Sequence, residues 1–181
     1  MRDKLKQFTW HIHILGVNDI DHVYKLDKEM LLDRGKVLQE YRVKVEEENH
    51  EFVMEIMDDI AYYHGMDNLI LWQLALWRLQ GVFEGMIILK YLGDFTLSEK
   101  LIGLKAKLDA IRGNKFSIET SDYDELLEWG KLRNAISHCP PETYGYVDLR
   151  EEDVLEYMDL IKRIISKWDI ELEARKSLPQ S

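Results

Sequence analysis

Apolar and polar positions alternate with period two only near the start of the chain. Phe8, Trp10, Ile12 and Ile14 interleave with Thr9, His11 and His13, and aromatic and β-branched residues at that period predict a strand over 8–14. Its backbone needs a pairing partner. The candidates are residues 144–149 and the same strand of a second subunit. From Ile20 onward the period becomes helical. Residues 20–64 carry Val37 or Leu38, Tyr41, Val45, Phe52, Ile56 and Ile60 at helical steps. That run is too long for one ordinary helix and predicts a long antiparallel arm or a break near Gly35 or Asn49. After Gly65 the most apolar stretch predicts a helix over 68–91. Arg78, Glu84 and Lys90 interrupt it, so it reads as the centre of a bundle and not as a membrane span. A helix over 97–111 follows, capped by Thr96 or Ser98. Residues 118–121 are loop, and Ser121 or Asp122 opens the next helix. A last helix from Glu151 bears Val154, Met158, Ile161, Ile165, Trp168 and Leu172, a packing stripe at steps of four and three. Residues 176–181 should fray. The fold class is all-α: an antiparallel helical bundle of about five helices in one domain spanning 1–181, with a short N-terminal strand.

Composition narrows the functional classes. A chain of 181 residues, 46% hydrophobic and 32% charged, fits one soluble globular domain. One cysteine excludes an intrachain disulfide. No basic-then-apolar leader precedes residue 20, so the expected location is cytoplasmic. A net charge of −10 argues against indiscriminate nucleic-acid binding. The charge is uneven, however. Lys100, Lys105, Lys107, Arg112 and Lys115 face a single Asp109, whereas Glu46, Glu47, Glu48, Glu51, Glu55, Asp58 and Asp59 crowd an earlier segment. The basic run offers a patch on which RNA docks; a solvated charged face is the plainer reading of either run.

The most specific chemistry lies in Arg133, Asn134, Ala135, Ile136, Ser137 and His138, followed by Cys139, Pro140 and Pro141. At 3.6 residues per turn Asn134 and His138 share one helical face, with Arg133 and Ser137 on the adjacent one. Pro140 disfavours helical geometry at Cys139, so the helix should stop near His138 and leave the imidazole at the mouth of a loop. An imidazole that titrates near neutrality suits acid–base work, and a permanently charged guanidinium suits a phosphate gaining charge. Asn134 would orient the imidazole, and Ser137 would contact phosphate. The bland alternatives are an Arg133–Glu128 ion pair, a helix-capping His138, a Ser137 bonded to backbone and an incidental Cys139. Upstream, Glu84 needs a cationic partner if buried, for which Arg133, Arg78 and Lys131 are the candidates. It then either supports Arg133 and His138 from below or forms an ordinary buried ion pair. Gly81 and Gly85, one turn apart, invite close approach of a neighbouring backbone, within the bundle or across a dimer axis. His11 and His13 share a strand face but have no third ligand at recognisable spacing, so no metal is expected.

The motif resembles the R-x4-6-H signature of HEPN domains, in which the polar residue after arginine is commonly Asn, as Asn134 is here. The apolar helix that it closes and the upstream segment over 76–86, with Glu84 inside it, resemble the family pattern over roughly residues 20–175. The resemblance implies a small all-helical homodimer acting as a metal-independent, cofactor-free endoribonuclease in a toxin–antitoxin or defence system. RNA would be its substrate, and an antitoxin or regulatory protein its partner. It assigns catalysis to Arg133, His138 and Asn134, with Ser137 and Glu84 supporting. The alternative is a non-catalytic helical module that binds a nucleotide or a protein.

Overall fold

The computed structural model describes residues 16–48, 51–94, 96–138 and 148–177, with the backbone alone at 98, 99 and 138. The expected strand over 8–14, most of its candidate partner, His11, His13, Cys139 and Pro140 lie outside the described residues. Every regular element among those described is helical. They are α1 (Val17–Glu48), α2 (Val53–Met86), α3 (Leu97–Lys100), α4 (Gly103–Gly113), α5 (Thr120–His138) and α6 (Glu151–Lys176). A π-helical segment, Ile87–Leu92, prolongs α2. The expected all-α bundle is what forms, and all but α3 are helices of 11 residues or more.

One boundary follows the sequence reading and two differ from it. The first long helix ends at Glu48 beside Asn49, and Gly35 does not interrupt it. Gly65 starts no new helix, because α2 already begins at Val53 and runs through it. A lone helical glycine costs about 1 kcal/mol relative to alanine, less than two long helices gain by packing along each other. The expected helix over 97–111 is split: Ile102 is extended and Gly103 takes a φ of 82°, a left-handed value suited to glycine. Thr96 supplies no side-chain cap for α3, and the Ser98 side chain lies outside the described residues. Asp94 instead accepts both the Thr96 amide (2.9 Å) and hydroxyl (2.7 Å).

Helix α2 occupies the centre. Leu69, Trp72, Ala75, Leu76, Leu79, Val82, Phe83 and Met86 are all buried along it. Helix α1 packs antiparallel to it, as shown by Tyr24 stacking on Trp72 (6.0 Å) and Arg34 pairing with Asp67 (2.5 Å). Helix α6 presents the expected stripe of Val154, Met158, Ile161, Ile165 and Trp168 to this core. Trp168 is fully buried, stacks on Phe83 (5.9 Å) and donates its indole N–H to the Ser117 carbonyl (2.7 Å). Helix α5 runs antiparallel to α6, joined by Asp122–Arg163 (2.8 Å) and by Trp129 against Tyr157 (5.3 Å). Beyond this bundle α1 and α2 extend as a pair with exposed Val37, Tyr41, Phe52, Met54, Tyr62 and Tyr63, the antiparallel arm expected from the sequence. No helix among the described residues is long and apolar enough to cross a membrane.

Candidate functional site

Helix α5 carries the motif on a turn that the core fixes from below. Tyr123, Leu126 and Ala135 are buried, and Ile136 and Leu132 pack against the core. The helix reaches His138, where the proline beyond was expected to stop it. This geometry turns Arg133 toward α2. Its Nη1 donates to Asn134 Oδ1 (3.1 Å), and its guanidinium carbon stands 6.0 Å from the centre of the Trp77 ring. Its Nε is buried without an acceptor, and no carboxylate pairs with it among the described residues. Glu128 pairs instead with Lys131 (2.5 Å). Arg34, Arg42, Arg150 and Arg163, by contrast, each hold a carboxylate.

Glu84 is partly buried on α2, and its cation is none of the three that the sequence offered. Its carboxylate accepts from Lys107 Nζ of α4 and from Gln80 Nε2 one turn back (2.7 Å). Helix α4 folds across the end of α2 and delivers Lys107 there, a tertiary event with no local signature. Glu84 is therefore part of a partly buried ion pair, and Arg133 stays outside it.

Tyr157 of α6 completes the cluster. It is fully buried, and its hydroxyl has no partner among the described residues. Burial, then the negative charge of Glu84, pushes its pKa well up, while the positive charge of Arg133 opposes that rise. The phenol is thus a neutral donor at any physiological pH. Gln80 Oε1, Arg133 Nε and Tyr157 OH are the buried side-chain atoms without a hydrogen-bond partner among the described residues. All three belong to this one region between α2, α5 and α6. Buried polar groups are ordinarily satisfied, so their concentration in one place marks a site.

The remaining motif residues divide. Asn134 is exposed and turns its carbonyl oxygen to Arg133. Ser137 donates to the Arg133 backbone carbonyl (2.9 Å), the bland arrangement, and so its hydroxyl already has an acceptor. At His138 only the helical backbone is described. The basic run makes a smaller patch than its sequence suggested. Lys105 pairs with Asp109 (2.7 Å), Lys107 with Glu84, and Arg112 lies over the Tyr123 ring (3.7 Å). The acidic run is a solvated face at the far end of α1 and the start of α2. Gly81 is exposed, and no atom stands within 4 Å of the Cβ it lacks, so no neighbouring backbone approaches it in the described bundle. No group of three or more His, Cys, Asp or Glu residues could hold a metal among the described residues.

Sequence reasoning missed Trp77, Gln80, Lys107 and Tyr157. Gln80 carried a usable signal, being a polar residue four positions before Glu84 in the most apolar helix of the chain. Tyr157, next to Met158 of the α6 stripe, offered no separate signal. No family model, curated protein or solved structure matches the chain.

Proposed function

We propose that this protein is a metal-independent endoribonuclease of the HEPN type, working as a homodimer in a toxin–antitoxin or defence setting. One observation carries the reading. Arg133 is a half-buried guanidinium with no carboxylate partner among the described residues, held by Trp77 and Asn134 at the end of a helix that closes on His138. A cation positioned by neutral groups keeps its full charge for an incoming anion, and the planar fork matches two phosphate oxygens.

In the proposed reaction the ribose 2′-oxygen bonds to the adjacent phosphorus as its proton passes to an imidazole. The bond from phosphorus to the 5′-oxygen breaks, and a second imidazole protonates that oxygen, leaving a 2′,3′-cyclic phosphate. Arg133 stabilises the charge that builds on the phosphorane. One imidazole cannot serve both ends of an in-line displacement, which is the physical reason for two copies of His138 meeting across a two-fold axis. Asn134 orients Arg133, and the Glu84–Lys107 pair supports the floor of the site.

The experiment is incubation with mixed RNA in excess EDTA, wild type beside Arg133→Ala and His138→Ala. Cleavage by the wild type alone, with cyclic-phosphate ends, is the expected result. Equal cleavage by folded Arg133→Ala would overturn the assignment. A non-catalytic module that binds a nucleotide or protein is the second reading. It is favoured by the net charge of −10 and by basic side chains already engaged within the molecule.

A further inference from the structure

On the α1 side of Trp77 lies a cavity of about 310 Å³, lined by Val23, Leu26, Asp27, Leu74, Trp77 and Arg78 among others. Helical spacing builds it. Positions 19, 22, 23, 26 and 27 form one face of α1, and 74, 77, 78 and 82 the facing stripe of α2. Its size sits at the lower end of the range for ligand pockets, about 300–1,000 Å³. The walls are mostly aliphatic and aromatic, with the Trp77 ring half exposed; His22 and Asp19, whose Oδ2 already accepts the Gly16 amide (2.7 Å), stand on the α1 side.

Asp27 is the anomaly in this pocket. It is 9% exposed, yet no hydrogen-bond donor or cation meets its carboxylate among the described residues. Burial pushes its pKa up to about 6. An ionised carboxylate without a partner is costly inside a protein, and this one lines an open cavity. Its two oxygens are free acceptors beside an aromatic surface. Arg78, also without a carboxylate partner among the described residues, stands on the same lining. A purely cationic ligand would leave Arg78 unmet and oppose it as a like charge, although Asp19 and Asp27 would attract it. A ligand with a flat neutral donor edge and a phosphate satisfies both groups at once.

We propose that this cavity is a nucleobase subsite that selects a base with two adjacent N–H donors, as guanine presents, stacked on Trp77 and hydrogen-bonded to the Asp27 carboxylate. The proposal rests on the ribonuclease reading for its biological sense, since Trp77 also flanks Arg133 and thereby links the base to the scissile phosphate. Unpaired bases are read by stacking on aromatic rings and by hydrogen bonds to their Watson–Crick edge, which is the chemistry available here.

The test is calorimetric titration of the full chain with guanosine, which carries no phosphate for Arg133 to hold, beside cytidine and spermidine. Guanosine should bind in the millimolar range or tighter, and cytidine more weakly. Asp27→Asn should weaken guanosine by about tenfold or more, since a carboxylate facing two donors is replaced by an amide with only one acceptor. Asp27→Leu keeps the measurement interpretable if the Asn variant is unfolded. No guanosine binding, or binding equal in wild type and folded Asp27 variants, would overturn the proposal. Asp27-dependent binding of spermidine in preference to guanosine would also overturn it, in favour of a cation site. Binding and cleavage fail separately: RNA cleaved in EDTA without guanosine binding removes the subsite alone. Guanosine binding without cleavage removes the ribonuclease and leaves the subsite.

Discussion

Replacing Asp27 by asparagine should stabilise the protein, and by an amount that depends on pH. The carboxyl titrates near 3.8 when free and at about 6 in the folded chain, because burial disfavours its charge. The folded state therefore binds this proton more tightly than the unfolded one. Stability drawn from the protonated form is intact below about pH 3.8 and is lost as pH rises through about 6. Linkage between those two values puts the cost of the ionised form at about 3 kcal/mol near pH 7.5, and about 1 kcal/mol near pH 4.5. A buried asparagine brings its own desolvation cost, but that cost does not vary with pH. The observable is therefore the change in the difference between the two proteins, about 2 kcal/mol across that interval. Urea denaturation at both pH values reads it directly. Other carboxylates pull the wild-type curve the opposite way: Glu151, held down by Lys28 and Tyr24, loses its contribution in acid. Subtracting variant from wild type at each pH removes that background. A difference that stays constant with pH would show that Asp27 meets a compensating donor, and the reasoning behind the empty pocket would fail with it.

Glu84→Gln leaves the partly buried Lys107 ammonium without its counter-charge and should cost about 2 kcal/mol in a urea titration, between the values for a surface pair and a broken buried one. A loss under about 0.5 kcal/mol would mean that water screens the pair as it does at a surface. Tyr157→Phe removes a buried hydroxyl that has no partner among the described residues, so its melting temperature should match or exceed that of wild type. A destabilisation above about 1 kcal/mol would show that the hydroxyl is hydrogen-bonded after all.

The fold was legible wherever one element could be read by itself. The apolar run of α2 announced its central burial, and the spacing of Val154, Met158, Ile161, Ile165 and Trp168 announced the buried face of α6. Both follow from helical periodicity alone. What depends on one helix meeting another was not legible. Lys107 reaches Glu84 because α4 folds over the end of α2, and neither segment encodes that crossing locally. Asp27 stands between Lys25 and Lys28 and was not singled out from the sequence. Yet it lies seven positions after Ile20 and four before Leu31, in the same buried stripe of α1. An acidic residue at an apolar register position was the available signal. The motif itself showed where Arg133 would sit, at the end of α5, but not that Trp77 and Asn134 would hold it.

The groups that the bundle leaves unsatisfied are not scattered. Gln80, Arg133 and Tyr157 lie on one side of the α2 segment that runs from Trp77 to Glu84, and Asp27 opens beside its start. Apolar residues of similar volume at these positions would pack as well and avoid the desolvation cost, so stability alone does not account for them. Leu76, Leu79, Val82 and Phe83, interleaved in the same two turns, are fully packed, so loose local structure does not account for them either. A rigid helix that presents unmet donors and acceptors on both flanks of one half-exposed tryptophan has the organisation of a binding surface.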